Sequence, residues 1–369
     1  MRASRSRRRC AGTSGRSSTS EGRGTTQRRI VLAGFGNVGR EFARLLLEQR
    51  APLANAHRLD ASVVGILTRR HGSVENARGI DLRKALRVAE AGGSIEGCGR
   101  PIRETSVEAV RKLRADMLVE VTPLRIAPRQ VALDHMLAAF ASGKHVITAN
   151  KGPVVYHYRR LRAIARAKGL GFRFEGTVMD GAPVFNLFLE TLRGARIESF
   201  EGILNSTSNF ILSEIEAGKT YADGIESART KGLLETDPAM DLDGWDATVK
   251  ACLVANVLMG GSLRPEDVPR QGISSIEAAR IQEAAASGKR LKQIARGWRD
   301  GRTVKASVGI EVVGPDHPLF PVAGTSSSLL VRTDMLKELQ IVERNPGIRQ
   351  TSYALYSDLL AIHEGRLSP

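Results

Sequence analysis

Long apolar runs are missing from this chain. No window approaches the ~18 consecutive apolar residues that span a bilayer, and residues 1–29 lack the apolar core of a secretory signal. That reading excludes an integral helical membrane protein and predicts a cytoplasmic one. Cysteine is scarce: Cys10, Cys98 and Cys252 are far apart and have no metal-ligand spacing, which suits reduced thiols in a reducing compartment. Aromatic residues make up only 5%, which argues against a base-stacking surface. Acids are outnumbered as well, with 39 Asp and Glu against 55 Lys and Arg for a net charge of +16. Half of that excess lies in residues 1–29, where nine arginines face a single acid, Glu21. With almost nothing apolar to bury, this stretch is expected to be a disordered basic tail. It could bind nucleic acid, resemble an organelle transit peptide, or be either an inert tail or a translated upstream region. The last pair is preferred because the first strand begins directly after it.

The remainder is ordinary for a globular protein, with 42% hydrophobic and 25% charged residues overall, and 369 residues accommodate two domains. Arg29–Ala33 reads as a strand and Arg40–Glu48 as a helix, separated by Gly34-Phe35-Gly36-Asn37-Val38-Gly39. In that setting G-x-G-x-x-G has a physical meaning: Gly34 for a tight turn, Gly36 for close approach of a pyrophosphate, and Gly39 for packing helix on strand. The alternative is a glycine-rich turn without a ligand. A second strand, Ala61–Leu67, ends in Thr68-Arg69-Arg70, where an NAD site commonly has an acid. Arg69 there suits the 2′-phosphate of NADP, unless both arginines are merely solvated. Strands at Ala115–Val121 and His145–Thr148 follow, ending near Thr122 and Lys151, with a helix at Val131–Ala141 between them. A lysine just past such a strand points into the ligand crevice, or else is a loop lysine.

Beyond residue 151 the pattern changes. A helix at Tyr158–Ala167, a strand at Gly171–Phe174 and a helix opened by Pro183 lead to the strand Ile197–Leu204. The polar run Asn205–Asn209 can cap the helix Phe210–Ala217, and Thr220 with Asp223 forms a capping box. Next comes an acid-rich stretch at 232–250. Gly244 introduces a helix on which Asp246 and Lys250 are four apart on one face, in the favourable order for an ion pair. A surface salt bridge is the plain reading of that spacing, yet Lys250 sits among Val249, Ala251, Cys252 and Leu253, where a desolvated ammonium could exchange a proton. Ser274 and Glu277 predict a second capping box, for a helix over Ile276–Ala286. Leu291–Trp298 and Thr303–Val313 predict a hairpin with a slightly longer loop around Asp300-Gly301. Strands at Leu329–Thr333 and Leu339–Glu343 and a helix at Thr351–Glu364 complete the chain. The expected architecture is α/β: a Rossmann-type nucleotide-binding domain over 30–151, a central α+β domain over 152–320, and a segment 321–369 returning to the first.

Several blocks taken together resemble homoserine dehydrogenase: GFGNVG at 34–39, TANK at 148–151, EGTVMDGAP at 175–183, GILNSTSNFIL at 202–212, LLETDPAMDLDGWDATVK at 233–250 and GTSSS at 324–328. The resemblance covers about residues 30–365. It implies NAD(P)-dependent interconversion of L-aspartate 4-semialdehyde and L-homoserine, on the route to threonine, methionine and isoleucine. Carried over by position, Lys250 supplies the proton with Asp246 orienting it and Lys151 beside the nicotinamide. Glu235 and Asp241 hold the substrate. Phe35, Asn37, Val38, Thr122, Lys151 and Gly324 contact the cofactor. The family's monovalent cation, usually sodium, would use backbone oxygens at Glu175, Val178, Asp180 and Ala182, although Met179-Asp180 replaces the small residues of many relatives. A homodimer through the central domain is implied, and a C-terminal regulatory domain is expected to be absent, as is a fused kinase. The rival readings are another amino-acid or aldehyde dehydrogenase of the same plan, which would lack the acid-rich segment, and a nucleic-acid-binding protein driven by the tail.

Overall fold

Ile30–Ala33 is buried on both faces, the pattern of a central parallel strand, and it forms the end of β1 (Thr26–Ala33). A computed structural model of the chain describes residues 24–234 and 238–367. The expected basic tail lies outside them as far as residue 23. Its last residues correct that expectation, because Thr26 N–H donates to the Arg58 carbonyl at 2.8 Å and Arg29 N–H to Asp116 Oδ2 at 2.6 Å. These bonds start β1 three residues ahead of the expected Arg29.

The first sheet has the order β4-β3-β2-β1-β5-β6-β7. After β1 come α1 (Asn37–Glu48), α2 (Arg50–His57), β2 (Leu59–Leu67), β3 (Val74–Glu75), α3 (Leu82–Glu90), β4 (Arg100–Pro101) and α4 (Ser106–Lys112). Then follow β5 (Met117–Glu120), α5 (Val131–Ala141), β6 (His145–Thr148), α6 (Lys151–Lys168) and β7 (Phe172–Arg173). Strands β2, β1, β5, β6 and β7 are parallel neighbours, and β3 and β4 add antiparallel at one edge. This is the doubly wound Rossmann-type arrangement, with the crevice at the carboxyl ends of β1 and β5, where the strand order reverses. Helix α6 starts seven residues before the expected Tyr158, because the Asn150 side chain accepts from Gly152 N–H at 3.2 Å and Pro153 is tolerated in a first turn. Lys151 is therefore a helix residue and not a loop residue.

The second sheet has the order β10-β9-β8-β11-β12 and is antiparallel throughout. A single turn α7 (Val184–Asn186) passes into a π-turn at Leu187–Thr191, in place of the regular helix expected after Pro183. Then come β8 (Ile197–Ile203), α8 (Ser206–Glu216), α9 (Tyr221–Thr230), α10 (Ala239–Leu242), α11 (Trp245–Leu258) and α12 (Ala278–Ala286). Strands β9 (Arg290–Asp300), β10 (Thr303–Val313), β11 (Ser327–Thr333) and β12 (Lys337–Glu343) precede α13 (Ile348–His363). The Thr220–Asp223 capping box forms as expected. The Ser274–Glu277 box does not: α12 begins at Ala278, and the Ser274 hydroxyl donates instead to Asp243 Oδ1 at 2.8 Å. The hairpin loop is tighter than expected, since Asp300 pairs with Thr303 across Gly301-Arg302.

Sheet membership does not divide the chain at 151 and 320. Strand β7 still belongs to the first sheet, and β11 and β12 belong to the second. Helix α13 packs on α1, where Arg349 meets Glu41 at 3.1 Å and Glu48 at 2.6 Å. One large apolar cluster runs from α5 and α6 through α11 to β8–β11, joining the two sheets. Among the described residues no helix is long and apolar enough to cross a membrane.

Candidate active site

Helix α11 is buried at 11 of its 14 positions, as befits a helix apolar on all sides. Gly244 precedes it at φ 78°, a left-handed conformation that favours glycine, and a Cβ there would meet Gln293 Nε2 at 2.9 Å. A lysine on such a helix is costly unless its charge is matched. Lys250 Nζ donates to the Leu204 carbonyl at 2.7 Å and contacts Asp246 Oδ2 at 3.1 Å. The other oxygen of Asp246 takes Lys151 Nζ at 2.7 Å, from the first turn of α6. Side-chain exposures of 14% for Lys250, 12% for Asp246 and 20% for Lys151 remove the surface salt-bridge reading.

Asn205 completes the cluster. Its Oδ1 caps α8 by accepting from Ser208 N–H at 2.6 Å, and its Nδ2 reaches Asp241 Oδ1 at 2.7 Å and Asp246 Oδ2 at 3.0 Å. The sequence reading found only the cap. Asp241 lies on the single turn α10, so it joins Lys250, Asp246 and Lys151, whereas Glu235 lies outside the described residues.

Burial works to raise the pKa of Asp246, but the ammonium groups of Lys151 and Lys250 outweigh it and hold the carboxyl well below its ordinary range. Asp241 is pushed up to about 6, by burial first and by the charge of Asp246 second. For Lys151, burial acts to lower the pKa, and Asp246 overcomes it to hold the ammonium above its ordinary value. The arrangement is a fixed anion between two cations, beside a second carboxylate whose pKa is raised to about 6.

The glycine turn fits a dinucleotide. Gly34 has φ 103°, and a Cβ on it would overlap the Val121 carbonyl. A Cβ on Gly39 would overlap the Gly34 carbonyl oxygen, while Gly36 faces open space and no side chain caps α1. The first-turn amides of a 12-residue helix are thus left for an anion. Phe35 is buried in the core, so it can offer a ligand only its backbone, and Asn37 accepts from Arg40 Nη2 at 2.9 Å. The Val38 carbonyl accepts from the Ser352 hydroxyl at 3.2 Å, bringing the N-terminal part of α13 to this turn. Arg69 is exposed after β2, in a turn over 68–73 that contains no carboxylate. Thr122 N–H donates to Glu120 Oε1 at 2.8 Å, and Asn150 Nδ2 donates to the Thr122 carbonyl at 3.1 Å. Gly324 is held on α8, with its N–H donating to Ser213 Oγ at 3.0 Å and its carbonyl accepting from Asn209 Nδ2 at 3.1 Å. It is not tied to the glycine turn as α13 is.

The 175–183 loop links β7 to α7. The Glu175 carboxylate accepts from Phe185 N–H at 2.7 Å and Asn186 N–H at 2.8 Å, and it is pushed up to about 8 by burial and then by the nearby Asp358. Asp180 has φ 34°, and its side chain accepts from the Thr351 hydroxyl at 2.6 Å. The Ala182 carbonyl accepts from Val184 N–H at 2.9 Å. No backbone or side-chain donor among the described residues takes the carbonyls of Val178 and Asp180. Of the four expected backbone oxygens, those of Val178 and Asp180 therefore suit a hard cation, while that of Ala182 is already engaged. No group of three His, Cys, Asp or Glu that could hold a metal occurs among the described residues.

A doubly wound sheet with an open glycine turn, and a buried lysine–carboxylate centre reached from both halves, define an NAD(P)-dependent oxidoreductase. Comparison with known proteins narrows the class. Residues 34–175 match the homoserine dehydrogenase NAD-binding domain, and residues 183–360 match homoserine dehydrogenase. The NAD(+)-dependent homoserine dehydrogenase of Pseudomonas canavaninivorans is 32% identical over 342 residues, covering 92% of this chain and 97% of the relative. The homoserine dehydrogenase of Methanocaldococcus jannaschii is 35% identical over 336 residues, covering 90% and 98%. Among solved structures, a hyperthermophilic archaeal homoserine dehydrogenase in complex with NADPH superposes with a TM-score of 0.76 at 28% identity, covering 91% of this chain and 97% of that one. The chain belongs to the homoserine dehydrogenase family, whose members oxidise a CH–OH group with NAD(P).

Proposed function

We propose that the chain interconverts L-homoserine and L-aspartate 4-semialdehyde in the cytoplasm, on the route from aspartate to threonine, methionine and isoleucine, with Lys250 moving the proton. The observation that carries this reading is the buried Asp246 carboxylate, shared by Lys250 and Lys151. A bound nicotinamide dinucleotide supplies the hydride for aldehyde reduction and takes it back in alcohol oxidation. In reduction the developing alkoxide receives its proton from Lys250 Nζ, which Asp246 orients and keeps charged. Lys151 contributes a second cation that stabilises negative charge on the same oxygen. Asp241 and Glu235 hold the substrate ammonium.

The backbone of Gly34–Gly39, including Phe35, Asn37 and Val38, together with Thr122, Lys151 and Gly324, would hold the cofactor. One relative's name specifies NAD(+) and the solved neighbour is an NADPH complex. Arg69, exposed just past the end of β2, favours NADP here, because a guanidinium stabilises a 2′-phosphate. A sodium ion at the 175–183 loop is part of the reading, supported by the unpaired carbonyls of Val178 and Asp180. So is a homodimer through the second sheet, where β9, β10 and β12 leave Trp298, Val312 and Val342 exposed.

The test is a spectrophotometric assay of homoserine oxidation with NADP⁺ and with NAD⁺, each in sodium and in potassium buffer. Homoserine-dependent reduction, faster with NADP⁺ and altered by the cation, is expected. No turnover with either dinucleotide would overturn the proposal.

A further inference from the structure

Glu120 is completely buried at the end of β5, and a carboxylate there must be satisfied by the protein. One oxygen accepts from both the backbone N–H and the hydroxyl of Thr122, and the other meets His135 Nδ1 at 2.6 Å. His135 is 2% exposed on α5, and its Nε2 lies 2.8 Å from Ser106 Oγ, the first residue of α4. A neutral ring that donates from Nδ1 accepts the Ser106 hydroxyl proton at Nε2, and an imidazolium donates at both nitrogens.

The chain of contacts continues towards the reaction centre. The Glu120 carbonyl accepts from the Thr148 hydroxyl at 2.8 Å, and the same hydroxyl accepts from Asn150 N–H at 2.9 Å. Asn150 holds the Thr122 carbonyl and caps the helix whose first residue is Lys151. The Thr122 backbone and the start of α6 are thus fixed by one network, with a buried His–Glu pair at its root. Bonds of this kind in a low-dielectric interior define geometry sharply, because the alternative is an unpaired buried charge.

We propose that His135 is a positioning residue for the cofactor: by holding the Glu120 carboxylate it fixes Thr122, and through Asn150 the start of α6, where the nicotinamide end of the dinucleotide binds. This rests on the reading that Thr122 and Lys151 contact the cofactor. His135 itself touches neither substrate nor dinucleotide.

The test is the NADPH dissociation constant, followed by fluorescence on the full-length protein, in His135→Leu, His135→Asn, Thr122→Ala and the Leu–Ala double variant. His135→Leu should weaken NADPH about tenfold, the equivalent of one charge-assisted hydrogen bond. His135→Asn retains a donor at the Nδ1 position and should stay within about threefold of the parent. In the Thr122→Ala background, which itself weakens NADPH, the His135→Leu change should add less than about threefold, since coupled positions are not additive. Unchanged NADPH affinity in His135→Leu, or full additivity with Thr122→Ala, overturns the positioning role alone. Unchanged affinity in Thr122→Ala overturns the cofactor contact on which the role rests. Should His135→Leu fail to fold, a His135→Asn variant that folds and still weakens NADPH tenfold also overturns the role, because its bond to Glu120 is preserved.

Discussion

Lys250, the proposed proton carrier, is defined by what surrounds it. Its ammonium shares Asp246 with Lys151, so removing it leaves that buried carboxylate with one cation instead of two. Lys250→Ala should lower kcat for homoserine oxidation by on the order of 10² or more while leaving NADPH affinity nearly intact, as measured by turnover and fluorescence titration. Near-normal turnover would exclude Lys250 as the proton carrier. Asp241 allows a pH test. Its carboxyl is pushed up to about 6 from an ordinary 3.8, by burial and then by Asp246. Its charge, and with it the attraction for a substrate ammonium, is lost as pH falls through that value. KM for homoserine should therefore rise as pH falls from 7 to 5, and Asp241→Asn should abolish that rise. A step that persists in the variant belongs to another group.

At the scale of elements, the β1–α1 turn is a tightly constrained piece of backbone. Gly34→Ala would force a Cβ onto the Val121 carbonyl at φ 103°. It should cost about 2 kcal/mol or more of stability and remove NADPH binding, read by thermal unfolding with and without NADPH. Gly36→Ala, facing open space, should unfold like the parent without ligand yet lose the stabilisation that NADPH confers. The β7–α7 loop and α13 form a second coupled unit. Glu175 N–H donates to Asp358 Oδ2 at 3.0 Å, and the two buried acids are pushed up to about 8 and about 7. Both pKa values are raised, so the folded state binds protons more tightly than the unfolded chain between about pH 4 and 8. Stability should accordingly fall across that window as pH rises, and Glu175→Gln should flatten the slope of melting temperature against pH. A parent with a flat profile would contradict this account.

For the whole molecule, the lysine–carboxylate cluster exists only where the two sheets meet. Lys151 comes from the first sheet's crevice, Asp246 and Lys250 from a helix packed against the second, and Asn205 from the end of β8. The proposed cofactor and substrate contacts thereby fall in different halves of one crevice. Arg69 belongs to this scale because its proposed contact is with the end of the dinucleotide remote from the chemistry. Arg69→Ala should reduce the ratio of kcat/KM for NADPH over NADH by about tenfold, the usual worth of one phosphate–guanidinium contact, with the NADH value little altered. An unchanged ratio would remove the support for a 2′-phosphate site.

Much of this was legible in the chain. The glycine spacing after an apolar run, the strand–helix alternation and the i,i+4 pair Asp246–Lys250 are local patterns, and local sterics and periodicity determine them. The ordered blocks from 34 to 328 brought the family within reach. Three-dimensional packing decided the rest. Whether Asp246 and Lys250 form a solvated salt bridge or a buried centre depends on α11 being covered on all sides, which four-residue spacing does not encode. That Lys151 meets Asp246 across 95 positions, that Asn205 bridges two acids while capping a helix, and that Glu120 and His135 stand behind Thr122 are long-range facts. Each arises because a buried polar group must find its partner wherever the fold brings one, and sequence separation says nothing about where that is.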